Sequence, residues 1–292
     1  MSNSANLVFR PLRADDKPRI LELTAHTWDD GDYIHEVFDD WLADPKGQFV
    51  AAVLDGQVTA IGKLTDLGDG ELWLEGLRVD PAHRGKGIGD ALHHHQLEAA
   101  HRIGGRVLRY ATGQDNRASQ RLGERTAFHY AASYRWLTAG ASPDFAPPEA
   151  LAVSDWPALH AWLDSPLLQQ AHRLYARMWK WSELSEARLR AHLEAGQVFG
   201  LRTPGGLGLR AWSICSLIEG WDAAQLHHLD GIDSASIIEM AQAMRRHAAD
   251  NGFRTVEAFA LAPSPLIDAF HEAGYRGEDF AMNVLELRLA PA

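Results

Sequence analysis

The sequence has little cysteine: Cys215 is the single one among 292 residues. One thiol excludes an internal disulfide framework and a zinc site built from several cysteines. No uninterrupted apolar run approaches the roughly 20 residues that span a bilayer. Residues 1–6 are polar and lack a basic segment leading into an apolar one, so we expect no secretory signal. The sequence therefore predicts a cytoplasmic protein that does not act in a membrane.

Basic residues are scarce relative to acidic ones, 28 against 39, and the formal net charge is -11. Nucleic-acid binding needs a basic surface that neutralises phosphates, so this balance argues against a nucleic-acid partner. The acidic charge is compatible with a cationic small substrate. It also serves solubility alone, and both interpretations stay open.

The length and composition predict a two-domain globular protein. Apolar residues make up 46% and charged residues 23% of the sequence, which is ordinary for this class. The 292 residues suffice for two domains of about 100–150 residues each. Residues 140–149 contain three prolines among small residues, as stiff linkers do. We predict domains at 1–139 and 150–292, joined by a linker at 140–149.

The first half alternates between segments typical of strands and of helices. Residues 71–79 favour a strand, and residues 88–102 favour a helix that ends at two glycines. The second half repeats this order weakly, with residues 252–259 corresponding to 105–110. We interpret the two halves as an internal duplication.

The strongest local pattern is residues 79–89, Val-Asp-Pro-Ala-His-Arg-Gly-Lys-Gly-Ile-Gly, between a predicted strand and a predicted helix. Glycines let the backbone approach a phosphate closely, and N–H groups of the turn and of the helix start can converge on one anion. Arg84 and Lys86 add positive charge. The pattern predicts a pyrophosphate site of a nucleotide-type cofactor. The alternative is a loop that only caps the helix.

Two common phosphate-binding loops do not fit this segment. The P-loop needs a lysine followed by serine or threonine, whereas Lys86 is followed by Gly87. The dinucleotide fingerprint needs another glycine spacing and an acidic residue about 20 positions later, where this sequence has Arg106 and Arg109. The turn belongs to neither class.

This turn resembles the cofactor motif of the GNAT superfamily of N-acetyltransferases, Arg/Gln-x-x-Gly-x-Gly/Ala. The element order of residues 7–137 matches that fold, and Asn116 with the helix after it matches the next family motif. The second half resembles the fold without the motif. The resemblance implies a tandem GNAT protein of mixed α/β class (α+β), in which each domain has a mostly antiparallel central sheet flanked by helices.

The resemblance also implies acetyl-coenzyme A as cosubstrate, and no metal ion. Its pantetheine arm would pair with the end of the fourth strand, and its pyrophosphate would lie on the glycine turn. Asn116 would bind the pantetheine or the phosphates, but it suits a helix N-cap equally well. The residues implied to bind the cofactor are Leu77, Arg78, Val79, Arg84, Gly85, Lys86, Gly87, Ile88, Gly89, Asp90, Asn116 and Ser119.

The reaction implied is attack of a neutral amine on a thioester. A free alkylamine is mostly protonated at neutral pH, so a general base must take its proton. Strand alternation predicts Glu75 on the same face as Leu77 and Val79, beside the acyl group, and we choose it as the base. A backbone N–H near residues 77–79 would stabilise the oxyanion. The alternative is that Glu75 is solvent-exposed or only positions the substrate.

One departure from the family concerns the acid that protonates the leaving thiolate. Many members carry a tyrosine in the helix after the asparagine, where this sequence has Gly123. Tyr110, Tyr130 and Tyr134 are candidates to replace it, but we predict each of them in the core. The acid is therefore unassigned.

Several other side chains receive structural interpretations. Three consecutive histidines, at positions 93, 94 and 95, lack the i, i+4 spacing with which two helical histidines bind one metal ion. We predict a surface position for His93, His94 and His95. The acidic segment 28–36 borders the acceptor groove in GNAT folds, where it either receives a cation or is a solvated loop. Trp179 and Trp181 are predicted to pack between the halves, and Cys215 to be buried.

The second half lacks the glycine turn. Its corresponding residues, 227–234, read His-His-Leu-Asp-Gly-Ile-Asp-Ser, and Asp230 and Asp233 would repel a pyrophosphate. We expect no cofactor there. Three roles stay open for this half: completing the acceptor pocket, mediating a homodimer, or stabilising the first half.

These observations predict a transferase that moves an acetyl group from acetyl-CoA to a primary amine of a small molecule by direct attack in a ternary complex. Two alternatives remain. One is a peptide or protein N-acetyltransferase, and the other is a non-catalytic acetyl-CoA sensor, favoured by Gly123.

Overall fold

The computed structural model describes residues 6–25, 27, 31–206 and 208–290. The strands are β1 (Leu7–Pro11), β2 (Gln48–Leu54), β3 (Gln57–Asp66), β4 (Glu71–Val79), β5 (Val107–Gly113), β6 (His129–Gly140), β7 (Glu149–Ala150), β8 (Leu174–Arg177), β9 (Lys180–Glu183), β10 (Val198–Arg202), β11 (Leu209–Ile218), β12 (Ala223–Gly231), β13 (Thr255–Ala262) and β14 (Ala281–Arg288). The α-helices are α1 (Lys17–Thr24), α2 (Ile34–Ala43), α3 (Ile88–Arg102), α4 (Arg117–Arg125), α5 (Trp156–His160), α6 (Pro166–Gln170), α7 (Glu186–Glu194), α8 (Ser234–Asp250) and α9 (Pro265–Glu272).

Residue contacts divide the chain into two compact units. The first comprises Met1–Tyr110, Leu122–Phe128 and Glu286–Ala292, and the second Ala111–Arg121 and His129–Leu285. Residues 141–148, within the predicted linker, contain no helix or strand. The domain boundaries at 139 and 150 stay a prediction.

The first unit is built on an antiparallel run of strands in the order β1, β2, β3, β4, followed by β5, which is parallel to β4. Alternate residues of β2 and β3 face opposite sides, as strand geometry requires. Ala51 and Ile61 pack with α1 and α2 on one side, while Ala52 and Ala60 pack with α3 on the other. The sheet thus has helices on both faces, and β4 lies where the candidate site begins.

A buried ionic group holds the first unit together near β5. The guanidinium of Arg109 donates to the carboxylates of Glu71 and Glu286, the latter at 2.7 Å, and all three side chains are almost fully buried. Arg288, which is largely exposed, forms an ion pair with the second oxygen of Glu286 at 3.1 Å. Two positive charges therefore balance two negative ones.

The second unit contains strands in the order β6, β13, β12, β11, β10, β7, of which only the β12–β13 pair is parallel in its described ladders. Helices α8 and α9 pack on one face of this sheet around Met240, Met244 and Phe270. The β8–β9 hairpin contacts the sheet through β12. Each unit thus has a mostly antiparallel sheet flanked by helices, which confirms the predicted fold class.

The aromatic and thiol predictions for the second half are confirmed. Trp181 packs on Tyr134 and Phe259, and Trp179 packs on Trp136 and Phe259, so side chains from both sequence halves meet within the second unit. Cys215 is 2% exposed, and burial raises the pKa of its thiol to about 12. Among the described residues, no helix is both long and apolar enough to cross a membrane.

Candidate functional site

The glycine turn connects the end of β4 to the start of α3. Asp80 accepts a hydrogen bond from the N–H of Ala82 at 2.8 Å and so caps a short 3-10 turn. The chain then passes through Gly85 and Gly87, whose φ angles of 75° and 78° lie in the left-handed region that favours glycine. Helix α3 begins directly afterwards, at Ile88. The glycines are therefore required by the backbone path that brings β4 into the helix.

The turn presents a row of backbone donors. Among the described residues, none accepts a hydrogen bond from the N–H groups of residues 85–90. The side chains of Arg84 and Lys86 are exposed beside these groups. Donors at a helix start, together with its positive dipole end, suit an anion such as a pyrophosphate.

Asp90 is the one acidic side chain in the first turn of α3. Its carboxylate forms an ion pair with Arg125, so its negative charge beside the donor row is offset. The carboxylate of Asp90 is therefore partnered within the protein, and the role of Asp90 in cofactor binding stays a prediction.

The turn and the end of β4 are held together. Ile88, the first residue of α3, packs with Leu77 and Val79 of β4. Arg84 Nε donates a hydrogen bond to the carbonyl of Val79 at 3.3 Å. A Cβ added to Gly89 would lie 3.3 Å from Val79 Cγ2, which shows how closely the helix approaches the strand. The structure thus brings together the predicted cofactor residues of β4 and of the turn.

The edge of β4 that faces β5 is paired over a short stretch. The described ladder covers three residue pairs, from Glu71–Val107 to Trp73–Arg109. Beyond Trp73 the ladder ends, so the two strands separate towards Val79. An extended chain fits such an edge by adding backbone hydrogen bonds.

Asn116 and Ser119 lie in the second unit, at the start of α4. Asn116 Oδ1 accepts a hydrogen bond from the N–H of Ser119 at 3.2 Å, and the carbonyl of Asn116 accepts from Gln120 at 3.1 Å. This is the geometry of a helix N-cap. The capping interpretation of Asn116 is confirmed, and the cofactor-binding role of both residues stays a prediction.

The predicted face of Glu75 is wrong because β4 contains a bulge. Gly76 has a φ of 65°, and the β3–β4 register shifts between Ile61 and Lys63. One extra residue in β4 reverses the alternation, since strand side chains change face at every step. Glu75 pairs with Lys63 and points to the side of α2, whereas Leu77 and Val79 pack against α3.

The bulge requires glycine for a second reason. A Cβ on Gly76 would lie 2.5 Å from Trp41 Cζ3 and 3.4 Å from Ile34 Cδ1, both on α2. The close approach of α2 therefore depends on the missing side chain. Sequence alternation alone gives no signal of this bulge beyond the presence of a glycine in a strand.

Glu75 lies in a polar niche on the α2 side of β4, formed by Asp32, Tyr33, Glu75 and Arg78, which we call the α2-side niche. Thr65 Oγ1 donates to Glu75 Oε1 at 2.6 Å. Arg78 Nε donates to Asp32 Oδ2 at 2.6 Å, and the Arg78 guanidinium lies 5.5 Å from the centre of the Tyr33 ring. Of the predicted cofactor residues, Arg78 thus directs its side chain towards this niche.

Asp32 is a buried member of the α2-side niche, and Tyr33 is an exposed member. The carboxylate of Asp32 is 1% exposed, so the expectation of a solvated acidic loop is wrong at this residue. Tyr33 is 38% exposed, and desolvation of its hydroxyl raises its pKa to about 12. Residues 28–30 of the same acidic segment lie outside the described residues.

Gly123, at the position of the family's acid, is buried in α4, and the acid stays unassigned. Tyr110 and Tyr134 are 8% and 3% exposed, which confirms their predicted core positions. Tyr130 is 56% exposed, so its predicted core position is wrong. It lies near the start of β6, where the first two residues are exposed and burial begins at the third.

The three consecutive histidines do not share one environment. His94 is exposed and His95 stacks on Phe9 with ring centres 4.6 Å apart. His93 is 4% exposed and lies 3.0 Å from Thr126 Oγ1, so its predicted surface position is wrong. Burial lowers the pKa of His93 to about 4, which keeps it neutral at neutral pH.

Residues 227–234 of the second unit correspond to the glycine turn. An aspartate of this segment already occupies the N-terminus of α8, where an anion would bind. Asp233 Oδ1 accepts from the N–H of Ser236 at 2.7 Å and caps α8. Asp230 is buried, accepts from Ser165 Oγ at 2.5 Å, and burial raises its pKa. Among the described residues, no group of three or more histidine, cysteine or acidic side chains is arranged to hold a metal ion.

Comparison with known proteins gives a family match in the first part of the chain. Residues 13–128 match the model of the Acetyltransferase (GNAT) family, and this range contains β4, the glycine turn and α3. A histidine N-acetyltransferase from Oreochromis niloticus is 32% identical over 91 residues, which are 31% of this chain and 27% of the relative. The chain thus matches about 27% of that relative's length.

Solved structures extend the likeness to nearly the whole chain. A GCN5-related N-acetyltransferase from Sphaerobacter thermophilus has a TM-score of 0.67 at 13% identity, covering 98% of this chain and 96% of its own. A tandem GNAT protein from the clavulanic acid biosynthesis pathway has a TM-score of 0.55 at 16% identity, covering 98% and 100%. At these identities the likeness concerns the fold, and it confirms the predicted tandem GNAT architecture.

Proposed function

We propose that the protein is a GNAT acetyltransferase that transfers an acetyl group from acetyl-CoA to a primary amine of a small molecule, on the basis of the family match over residues 13–128. The observation that carries the proposal is the glycine turn. Its N–H groups at residues 85–90 have no acceptor among the described residues, and they adjoin the end of β4. A diphosphate linked to an extended arm suits this arrangement.

In this proposal the cofactor occupies the turn and the free edge of β4. The pyrophosphate accepts hydrogen bonds from residues 85–90, and Arg84 and Lys86 contribute positive charge. The pantetheine arm pairs with the backbone of residues 77–79, where the ladder with β5 has ended. The ion pair between Asp90 and Arg125 removes a repulsion that the phosphates would otherwise meet.

The α2-side niche is the proposed place of the acceptor amine. Glu75 takes the proton of the ammonium form, directly or through a water molecule. The neutral amine attacks the thioester carbonyl and forms the C–N bond, the C–S bond breaks, and coenzyme A leaves as the thiolate. The second proton of the amine nitrogen passes to this thiolate or to solvent, which leaves a neutral amide. The bulge at Gly76 places Glu75 and the α3-facing residues on opposite sides of β4. In this proposal the thioester therefore reaches the α2 side past the edge of β4 beyond Trp73, where the ladder with β5 has ended.

A second candidate function is a non-catalytic acetyl-CoA sensor. Gly123 favours it, because the usual acid is missing from α4. A thiolate is a tolerable leaving group without a strong acid, so we prefer the enzyme. Release of coenzyme A that depends on an added amine separates the two, and a panel of small amines and peptides separates the acceptor classes.

Titration of the purified chain with acetyl-CoA should give one binding site per chain. The first unit offers free donors at its turn, whereas the equivalent donor in the second unit is capped by Asp233. Calorimetry measures the stoichiometry. Two sites would contradict the assignment of the second unit as silent, and no binding would overturn the proposed function.

Glu75→Gln should lower turnover at neutral pH by about 100-fold or more, because general-base catalysis contributes effects of that order. The affinity for acetyl-CoA should stay unchanged, since Glu75 faces away from Leu77 and Val79. Steady-state rates with an identified amine and calorimetric affinities measure the two quantities.

Glu98→Gln is the matched control, because Glu98 lies on α3, away from the niche, with a side chain 72% exposed. It removes the same charge outside the niche and should leave turnover within about twofold of the parent. A Glu75→Gln rate equal to that of the control would remove Glu75 from the mechanism.

A further inference from the structure

The turn of the β8–β9 hairpin is strained. Met178 and Trp179 form its two-residue loop, and their φ angles of 50° and 62° lie in the left-handed region. Such loops favour asparagine and glycine, because other side chains are strained in this region. Strained residues persist where the surrounding structure fixes them, and they cluster at binding sites.

Two sets of contacts fix this turn. Gln225 Oε1 accepts a hydrogen bond from the N–H of Met178 at 2.9 Å. The ring of Trp179 lies 4.7 Å from Phe259 and 5.6 Å from Trp136, measured between ring centres. Although packed in this way, Trp179 is 36% and Trp136 41% exposed. The strain therefore places two indole rings side by side at the surface.

Two polar side chains beside these rings, Gln225 and Glu257, each have one atom without a hydrogen-bond partner among the described residues. Gln225 and Glu257 are partners in the parallel β12–β13 ladder, so their side chains lie on the same face. Glu257 Oε2 and Gln225 Nε2 are both buried, and neither has a hydrogen-bond partner among the described residues. Burial raises the pKa of Glu257, an effect that hydrogen bonding from Trp136 partly opposes.

A buried carboxylate oxygen without a donor costs free energy that a ligand can recover. The missing group is a donor, and the most effective donor for a carboxylate carries a positive charge. Indole faces attract the same kind of group through their π electrons. The net charge of -11 favours the approach of cations over anions.

We propose that Trp136, Trp179 and Glu257 form a binding site for a primary alkylammonium group in the second unit. The ammonium donates to Glu257 Oε2, which a movement of the overlying side chains uncovers on binding, and the alkyl chain lies along the exposed parts of the two indoles. Gln225 Nε2 is available to an acceptor atom on the ligand, such as a hydroxyl or carbonyl oxygen. This site is separate from the α2-side niche and does not depend on acetyl-CoA.

The test is titration of the full chain with n-butylammonium chloride at fixed ionic strength and without acetyl-CoA, followed by calorimetry and tryptophan fluorescence. We expect saturable binding that Glu257→Gln weakens by about tenfold or more, because a charged hydrogen bond is lost. Trp179→Phe should weaken it a few-fold through the smaller ring. Neutral n-butanol should not bind.

Trp156→Phe is the matched control. Trp156 belongs to the same unit and stacks on Arg190 at 3.6 Å, so it is a surface indole whose face is already occupied by a cation. This variant should bind n-butylammonium as the parent does.

Three outcomes overturn the proposal. The first is the absence of saturable binding, and the second is equal binding of n-butanol, which would indicate a merely apolar patch. The third is binding that Glu75→Gln abolishes and Glu257→Gln leaves intact, which would assign the ammonium to the first unit. Loss of acetyl-CoA binding is measured separately, so failure of the proposed function is distinguishable from failure of this site.

Discussion

Gly87→Ala is expected to weaken acetyl-CoA binding by at least about tenfold, or about 1.4 kcal/mol. The φ of Gly87 is 78°, and an alanine there either keeps a strained backbone or relaxes out of the left-handed region. Relaxation would turn the N–H groups of residues 85–90 away from a common point. A retained backbone would place a methyl group in the open space over the turn. Calorimetric titration with acetyl-CoA measures the loss.

Gly104→Ala separates this effect from simple destabilisation. Gly104 has a φ of 75° and, like Gly87, no atom within 4 Å of an added Cβ, but it follows the other end of α3. Both variants should lose roughly 1–2 kcal/mol of stability from backbone strain. Only Gly87→Ala should lose cofactor affinity. Equal affinities in the two variants would reduce the glycine turn to a helix cap.

Arg109→Met is expected to lower the free energy of unfolding by about 3–5 kcal/mol. The substitution leaves the buried carboxylates of Glu71 and Glu286 without their shared guanidinium. Uncompensated buried charge is costly because the low-dielectric interior replaces water poorly. Urea denaturation followed by circular dichroism measures the change.

Two further variants test the cause of that loss. Arg288→Met removes an exposed partner of Glu286 and should cost less than about 1 kcal/mol. Replacing all three buried members with apolar side chains, Arg109→Met with Glu71→Leu and Glu286→Leu, should recover most of the stability. If Arg109→Met costs no more than Arg288→Met, the buried group is not a major source of stability.

The glycine turn and its neighbours could be predicted because their information is local. Glycines in alternate positions between a strand and a helix restrict the backbone of residues 79–89 strongly, and the structure has β4, the turn and α3 in that order. The capping chemistry of Asn116 is also local, since the bond from Ser119 spans three residues. Short-range geometry decides such features.

The polar surroundings of Glu75 could not be predicted in the same way. Asp32 and Arg78 are 46 positions apart, and neither residue carries a signal for the other. Nothing in the alternation of β4 marks Gly76 as a bulge, because its need for glycine arises from Trp41 on α2. The burial of His93 has no local sequence signal for a related reason: its hydrogen-bonding partner, Thr126, is 33 positions away. Tertiary contacts decide such features.

The bulge at Gly76 makes the two sides of β4 mutationally independent. Glu75 and Leu77 are only two positions apart, yet their side chains lie on opposite faces of β4. A substitution at Glu75 can therefore leave the packing of Leu77 against α3 undisturbed. A deletion of one residue at the bulge would remove this independence, because it would restore alternation and exchange the environments of all residues on one side of it. Related chains should consequently keep the length of this strand constant.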